Sequence, residues 1–160
     1  MNLNWGIVFA LLGAAVSTFL AGIGSIKGVG MAAETSMGML SEDSSRFGKQ
    51  LVLTLLPGTQ GLYGFIVTIL ILMNIGVMGG SADVTFYQGL LYLAASLPIG
   101  VAGWLSGIAQ GRAAVAGLSL MAKKPNEFGK ALVSVTLVEI YALLAFLVSL
   151  LSVVSIGGMK

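Results

Sequence analysis

FGKQLVLTLLPGTQGLYGF (47–65) and FGKALVSVTLVEIYALLAF (128–146) align without a gap. Phe47, Gly48, Lys49, Leu51, Val52, Leu56, Leu62 and Phe65 fall on identical partners. Any two apolar helices look alike, but a shared Phe-Gly-Lys start does not follow from apolarity, so the chain reads as a tandem duplication. Earlier in each half, GIGSIKGVGMA (22–32) is placed over GIAQGRAAVAG (107–117). There Gly22 and Ile23 match Gly107 and Ile108, and Lys27 meets Arg112. The offset of this second match is larger by four residues, which predicts a small difference in loop length between the halves.

The duplicated segments are apolar throughout. Of 160 residues, 57% are hydrophobic and 9% charged. Soluble domains carry about a quarter charged residues, and a soluble chain of this length needs far more polar surface to cover one core. Four stretches are long enough for the ~20 apolar residues that cross a bilayer as helix. They run from Trp5 to about Ile26, Leu51 to about Val77, about Leu90 to Ala109, and Ala131 to Ile156. The first lacks the basic flank and short core of a cleaved signal peptide. Short polar breaks at 41–50, 79–88 and 123–130 leave neighbouring helices antiparallel. The fold expected is an all-α membrane protein of four transmembrane helices. They form two tandem hairpins, a parallel repeat, over residues 1–78 and 88–160, joined by an external loop at 79–87.

Seven cations (Lys27, Arg46, Lys49, Arg112, Lys123, Lys124 and Lys130) lie towards the ends joined by the first and third loops, and only Lys160 lies on the other side. The positive-inside rule puts both hairpin loops in the cytoplasm and both termini outside. Eight cations are too few for a nucleic-acid footprint. With no Cys and no His, thiol chemistry, His-ligated metals and an imidazole base are excluded. Small residues at spacing four (Gly13, Ser17, Ala21, then Gly24, Gly28, Ala32, and Gly103, Gly107, Gly111) predict close packing of the first and third helices.

Glu139 stands alone as a charge in its span. A carboxylate in lipid costs several kcal/mol and marks a functional site by default; pairing with Arg112 for packing is the competing reading. Counted from the cytoplasmic loops, Glu139 is 11 residues beyond Phe128, Thr59 and Gln60 are 12 and 13 beyond Phe47, and Gln110 is 13 before Lys123. At ~1.5 Å per residue these levels agree within about one turn. Pro57 and Gly58 share the level, and a kink there can turn a carbonyl such as that of Leu56 towards a ligand. One layer thus gathers a carboxylate, two amides, a hydroxyl and irregular backbone oxygens. Such oxygens suit a hard cation, and a single negative charge suits Na+ or H+. A proton needs only the carboxyl and an acceptor, so the surplus oxygens of Thr59, Gln60 and Gln110 favour Na+. Tyr63, one turn after Gln60, is placed to donate to the carboxylate.

The segments GIGSIKGVGM (22–31), LLPGTQGLYGF (55–65), SGIAQGRAAVAG (106–117) and VEIYALLAF (138–146) resemble the membrane-ring proteolipid, the c or K subunit, of V-type rotary ATPases, closest to its bacterial Na+-translocating members. The resemblance covers essentially the whole chain. It implies a non-catalytic rotor subunit in the cell membrane, a homo-oligomeric ring of identical chains, and ATP hydrolysis in other subunits. It also implies a stator membrane subunit that supplies half-channels and a cation, and a central-stalk subunit at the cytoplasmic face. Carried over by motif, the ion ligands are the Leu56 carbonyl, Thr59, Gln60, Gln110 and Glu139, with Tyr63 orienting the carboxylate. No phosphate-binding GxxxxGK[ST] loop occurs, so nucleotide is not expected on this chain. H+ as the coupling ion is the main alternative; a small secondary transporter using Glu139 as a relay, or a pore without an ion site, are more distant ones.

Overall fold

Helix starts are set by short polar side chains at the ends of the apolar runs. In the computed structural model, which describes residues 4–79 and 83–159, the Asn4 side chain accepts from the Gly6 and Ile7 amides and opens α1 (Trp5–Glu42). Thr85 opens α4 (Phe86–Lys123) with a reciprocal capping box, Gln88 N to Thr85 Oγ1 and Thr85 N to Gln88 Oε1. Between them lie α2 (Phe47–Leu55) and α3 (Thr59–Asn74); α5 (Phe128–Gly157) closes the chain. Tight three-residue turns, Ser44–Arg46 and Pro125–Glu127, join the members of each hairpin. The expected kink is present: at Leu56–Gly58 the second rod tightens into a 3-10 turn around Pro57, separating α2 from α3. Residues 80–82 of the expected external connection, and Lys160, lie outside the described residues.

All described helical rods are long and apolar enough to cross a membrane. Large apolar side chains such as Phe19, Ile26, Leu62, Leu105 and Leu151 point outward. An aqueous surface rarely carries so many, and lipid is their natural solvent. α1 and α4 extend well beyond the apolar stretches that announced them. At 38 residues each they are about 57 Å long, against a hydrocarbon core of about 30 Å. Lys27 and Arg112 are both exposed on these long rods and border one surface hollow with Glu34.

The repeat is stricter than the sequence match suggested. Trp5–Glu42 answers to Phe86–Lys123, Ser44–Arg46 to Pro125–Glu127, and the Phe47 start to Phe128. Every pair is 81 residues apart, as are the caps Asn4 and Thr85. The four-residue slip expected for the first helix pair is therefore corrected: Lys27 has Ile108 as its counterpart, not Arg112, and Gln110 has Val29. The cause is the small-residue spacing itself. Sliding one helix by four residues turns it by little more than a full turn and keeps small residues on the same face, so identity scores barely change.

α1 and α4 pack along their lengths, as the small residues predicted. A Cβ added to Gly107 would lie 2.6 Å from the Gly24 carbonyl carbon, and one added to Gly13 would lie 2.9 Å from Leu93 Cα. Backbone touches backbone there, and only glycine fits. α3 and α5 lie outside this pair. Hydroxyls fasten the outer helices at counterpart positions: Thr68 Oγ1 donates to Ala14 O at 2.6 Å, and Ser149 Oγ accepts from Ile99 N at 3.1 Å, just after Pro98 in α4. The buried apolar side chains form two clusters. One gathers Val67, Ile71, Tyr92, Ile99 and Val153 with their neighbours; the other gathers Leu53, Ala114, Leu118, Met121 and Val135. Along every rod the polar layer lies between them.

Candidate functional site

Glu139 sits on α5 with 7% of its surface exposed, between α3 and α4. Both of its oxygens accept hydrogen bonds. The Tyr63 hydroxyl donates to Oε1 at 2.6 Å, and Gln110 Nε2 donates to Oε2 at 3.0 Å. Gln110 Nε2 also reaches the Val135 carbonyl at 3.2 Å, one turn earlier on α5. Gln110 Oε1 in turn accepts from Gln60 Nε2. Gln60 and Gln110 are both fully buried. One connected network thus joins Tyr63 and Gln60 of α3, Gln110 of α4 and Glu139 of α5, the convergence that equal depths along the helices predicted.

One atom of this network is left over. Gln60 Oε1 is buried and has no hydrogen-bond partner. An unmade bond to a buried amide oxygen costs about 1–3 kcal/mol. A cation is the natural partner for an orphaned oxygen in a network that contains a carboxylate, so the donors present fit a hard monovalent ion. Among the described residues no three His, Cys, Asp or Glu side chains converge, and the local charge is that of one carboxylate.

Thr59 and Leu56 stand on the adjoining turn. Thr59 Oγ1 donates to the Leu56 carbonyl at 2.9 Å, and the Thr59 amide bonds to the same oxygen in the 3-10 turn. The Leu56 carbonyl therefore has partners already, and neither residue bonds to Glu139. Arg112, the cation that a packing-only reading would pair with Glu139, is exposed. The ion pairs among the described residues are Asp43–Arg46 and Glu127–Lys130, both next to the hairpin turns. Asp43 lies outside the membrane spans. Hydrogen bonds from Ser45, with the nearby Arg46 charge, hold its carboxyl below the usual carboxylate value.

Two supports of the site escaped sequence reasoning. Phe146 stacks on the Tyr63 ring with centroids 5.2 Å apart, fixing the phenol that holds Glu139. Its identity with Phe65 in the repeat was the available signal, but identity does not say which phenylalanine is covered. Ser25 Oγ accepts from the Gly61 amide at 2.8 Å. The tight turn at Pro57 disturbs the helical pattern just ahead of that amide, and the serine supplies an acceptor. This holds Gln60, the next residue back, in place.

Two tandem membrane hairpins with one buried, hydrogen-bonded carboxylate define an ion-handling membrane proteolipid. The family model for the C subunit of ATP synthase matches the chain twice, at residues 12–71 and 93–152. This chain belongs to that family, once per hairpin. The two matches are also 81 residues apart, as the helices are. Among curated relatives, the chain is 47% identical to the K subunit of the V-type sodium ATPase of Enterococcus hirae over 152 residues, covering 95% of this chain and 94% of the relative. It is 38% identical to the K subunit of the A-type ATP synthase of Methanocaldococcus jannaschii over 94% of this chain and 64% of that one. It is 29% identical to the 16 kDa proteolipid subunit of the V-type proton ATPase of Entamoeba dispar over 94% of this chain and 77% of that relative.

Proposed function

We propose that this chain is the ion-carrying subunit of the membrane rotor ring of a V-type ATPase, and that it binds one Na+ per chain at Glu139. The observation that carries the reading is the orphaned Gln60 Oε1, in a network that reaches the Glu139 carboxylate through Gln110. A carboxylic acid holding a proton must donate that proton to an acceptor. Here Gln110 donates to one carboxylate oxygen and the Tyr63 hydroxyl holds the other, so the orphaned Gln60 oxygen is a ligand that a proton does not need. Similarity to a sodium ATPase subunit supports the same choice. The proton reading retains its own support, the similarity to proton ATPase proteolipids.

In this mechanism Glu139, Gln60 and Gln110 offer side-chain oxygens to the ion. Thr59 adds its hydroxyl oxygen from the neighbouring turn, which donates but accepts from nothing there, and the Leu56 carbonyl joins by giving up one of its two bonds from Thr59. Tyr63 makes no bond to the ion; it holds the carboxylate in one rotamer. Binding neutralises Glu139, and the neutral site moves past lipid at a tolerable desolvation cost. A cation on a stator subunit displaces the ion by competing for the carboxylate. The chain works without covalent chemistry, and ATP hydrolysis in other subunits turns the ring. The hairpin turns, with Arg46, Lys49, Lys123, Lys124 and Lys130, face the cytoplasm and the central stalk, and both termini face outside.

Carbodiimide labelling of Glu139 in purified protein, over a range of pH with and without Na+, tests the proposal. Labelling that Na+ suppresses is the expected result. Labelling governed by pH alone would move the reading to a proton ring.

A further inference from the structure

Two buried side-chain oxygens among the described residues have no hydrogen-bond partner, Gln60 Oε1 and Ser106 Oγ. The first belongs to the site described above. The second has no role there, although Ser106 is only 8% exposed and a buried hydroxyl without a partner is costly. Its orientation also sets it apart. Ser17, Ser96, Ser119 and Ser152 each donate to a carbonyl of their own helix, three or four residues back. Ser106 makes no such bond, so its hydroxyl is aimed away from the carbonyls of α4.

The repeat explains how Ser106 is left unpaired. Its counterpart 81 residues earlier is Ser25, whose Oγ accepts from the Gly61 amide. The Pro57 turn disturbs the helix just ahead of that amide. α5 has Val138 in place of Pro57 and runs unbroken past Ala142, the counterpart of Gly61. Its amides are taken up within the helix, and none is offered to Ser106. Position then ties Ser106 to Gln60. Gly103, Ser106 and Gln110 follow at spacings of three and four, so they share one face of α4. Gln60 spans that face. A Cβ on Gly103 would lie 3.6 Å from Gln60 Cβ, and the Gln60 carboxamide bonds to Gln110 Oε1. The Gln60 side chain thus runs along α4 past Ser106.

We infer that the Gln60 carboxamide turns over when the ion binds, and that Ser106 is the acceptor that holds it turned. The inference rests on the Na+ reading and adds a positioning residue to it. In the structure Gln60 Nε2, not Oε1, faces Gln110 Oε1. An ion coordinated by Gln110 Oε1 would meet the partial positive charge of that N–H. Rotation about the last side-chain bond exchanges the two ends of the amide. It brings Oε1 to the ion and swings Nε2 to the opposite side. There Nε2, with two N–H donors, needs an acceptor. Ser106 Oγ, with both lone pairs free, is the acceptor on that face. One movement then satisfies both orphaned oxygens, Gln60 Oε1 with the ion and Ser106 Oγ with Nε2.

Ser106→Ala tests this in purified protein, by isotopic Na+ binding and by thermal melts with and without Na+. Without Na+ the variant should melt at or above the wild-type temperature, because it loses only an unpartnered hydroxyl. Its Na+ affinity should fall roughly 3- to 10-fold, the worth of one neutral hydrogen bond, and the temperature gained from Na+ should shrink with it. Ser106→Cys, close in size and a weak acceptor, should behave alike and replaces the alanine variant if that fails to insert. An equal loss of melting temperature with and without Na+ would make Ser106 a packing residue and overturn the inference. Unchanged affinity overturns it too, as does tighter binding, which would mean that Ser106 competes with the ion for Gln60 Oε1. In each of these cases Na+ binding by the wild type leaves the ion-carrier reading intact. Wild-type protein that neither binds Na+ nor gains stability from it removes that reading and this inference together.

Discussion

The two hairpins share one backbone and differ in chemistry at the same depth. The second carries Glu139 and Gln110, where the first has Gly58 and Val29. The first carries Thr59, Gln60 and Tyr63, where the second has Ile140, Tyr141 and Leu144. Neither hairpin holds a whole site. The carboxylate half and the amide-hydroxyl half were divided between the repeats, and they meet once, where the first hairpin's outer helix lies against the second. Duplication lets one fold carry two unlike sets of side chains at one depth. Four helices then carry one carboxylate instead of two.

That division can be broken directly. Glu139→Gln removes the site's only charge, and we expect Na+ binding and carbodiimide labelling to vanish while the protein still inserts and assembles; sedimentation and labelling on the same sample would check this. Gly58→Glu puts a carboxylate back into the first hairpin, opposite Val29 and without an amide or phenol. An unpaired charge within a membrane span costs several kcal/mol, so the protein should be lost at lower detergent concentration or temperature, with no second ion gained. Recovery of a stable ring with twice the bound Na+ would mean that the first hairpin kept a working site.

Tyr63→Phe keeps the ring stacked on Phe146 but removes the donor to Glu139. A hydrogen bond to a charged group is worth about 1.5–3 kcal/mol, so Na+ affinity should fall roughly 10- to 100-fold with little change in thermal stability. Ser25→Ala acts further out. It strips the Gly61 amide of its acceptor, which costs about 1–2 kcal/mol, read as a lower unfolding temperature in detergent with an intact stoichiometry.

The smallest effect is expected at the first hairpin turn. There the Asp43 carboxyl is held below its ordinary value by Ser45 and Arg46. A carboxyl lowered in the folded state stabilises above its unfolded pKa, and the benefit disappears as pH falls through the folded value. Asp43→Asn should therefore lower stability slightly at neutral pH and make no difference in strong acid, as a pH series of thermal melts would record.

How much of this was legible beforehand depended on the kind of signal. Helix number and the hairpin arrangement follow from apolar runs and polar breaks, because lipid leaves the chain few other solutions. The meeting of Glu139 with Gln60, Gln110 and Tyr63 followed from counting residues up from the turns, since helical rise converts sequence position into depth. The register of α1 against α4 did not follow, because small residues every four positions fit equally well after a slip of one turn. That Gly24 lies against Gly107 is visible only in the folded chain. The Leu56–Thr59 bond was hidden for another reason: a turn around Pro57 has several ways to satisfy its carbonyls, and depth does not choose among them. Phe146 and Ser25 were invisible as supports because their partners are a ring face and a backbone amide, neither of which leaves a mark in composition.

The central claim is a count: one cation for each chain, held at Glu139. Equilibrium binding of isotopic Na+ to the purified ring, set beside Glu139→Gln, measures it most directly. The account predicts one ion per chain in the first and none in the second. Binding of two ions per chain, or binding that survives Glu139→Gln, would contradict it.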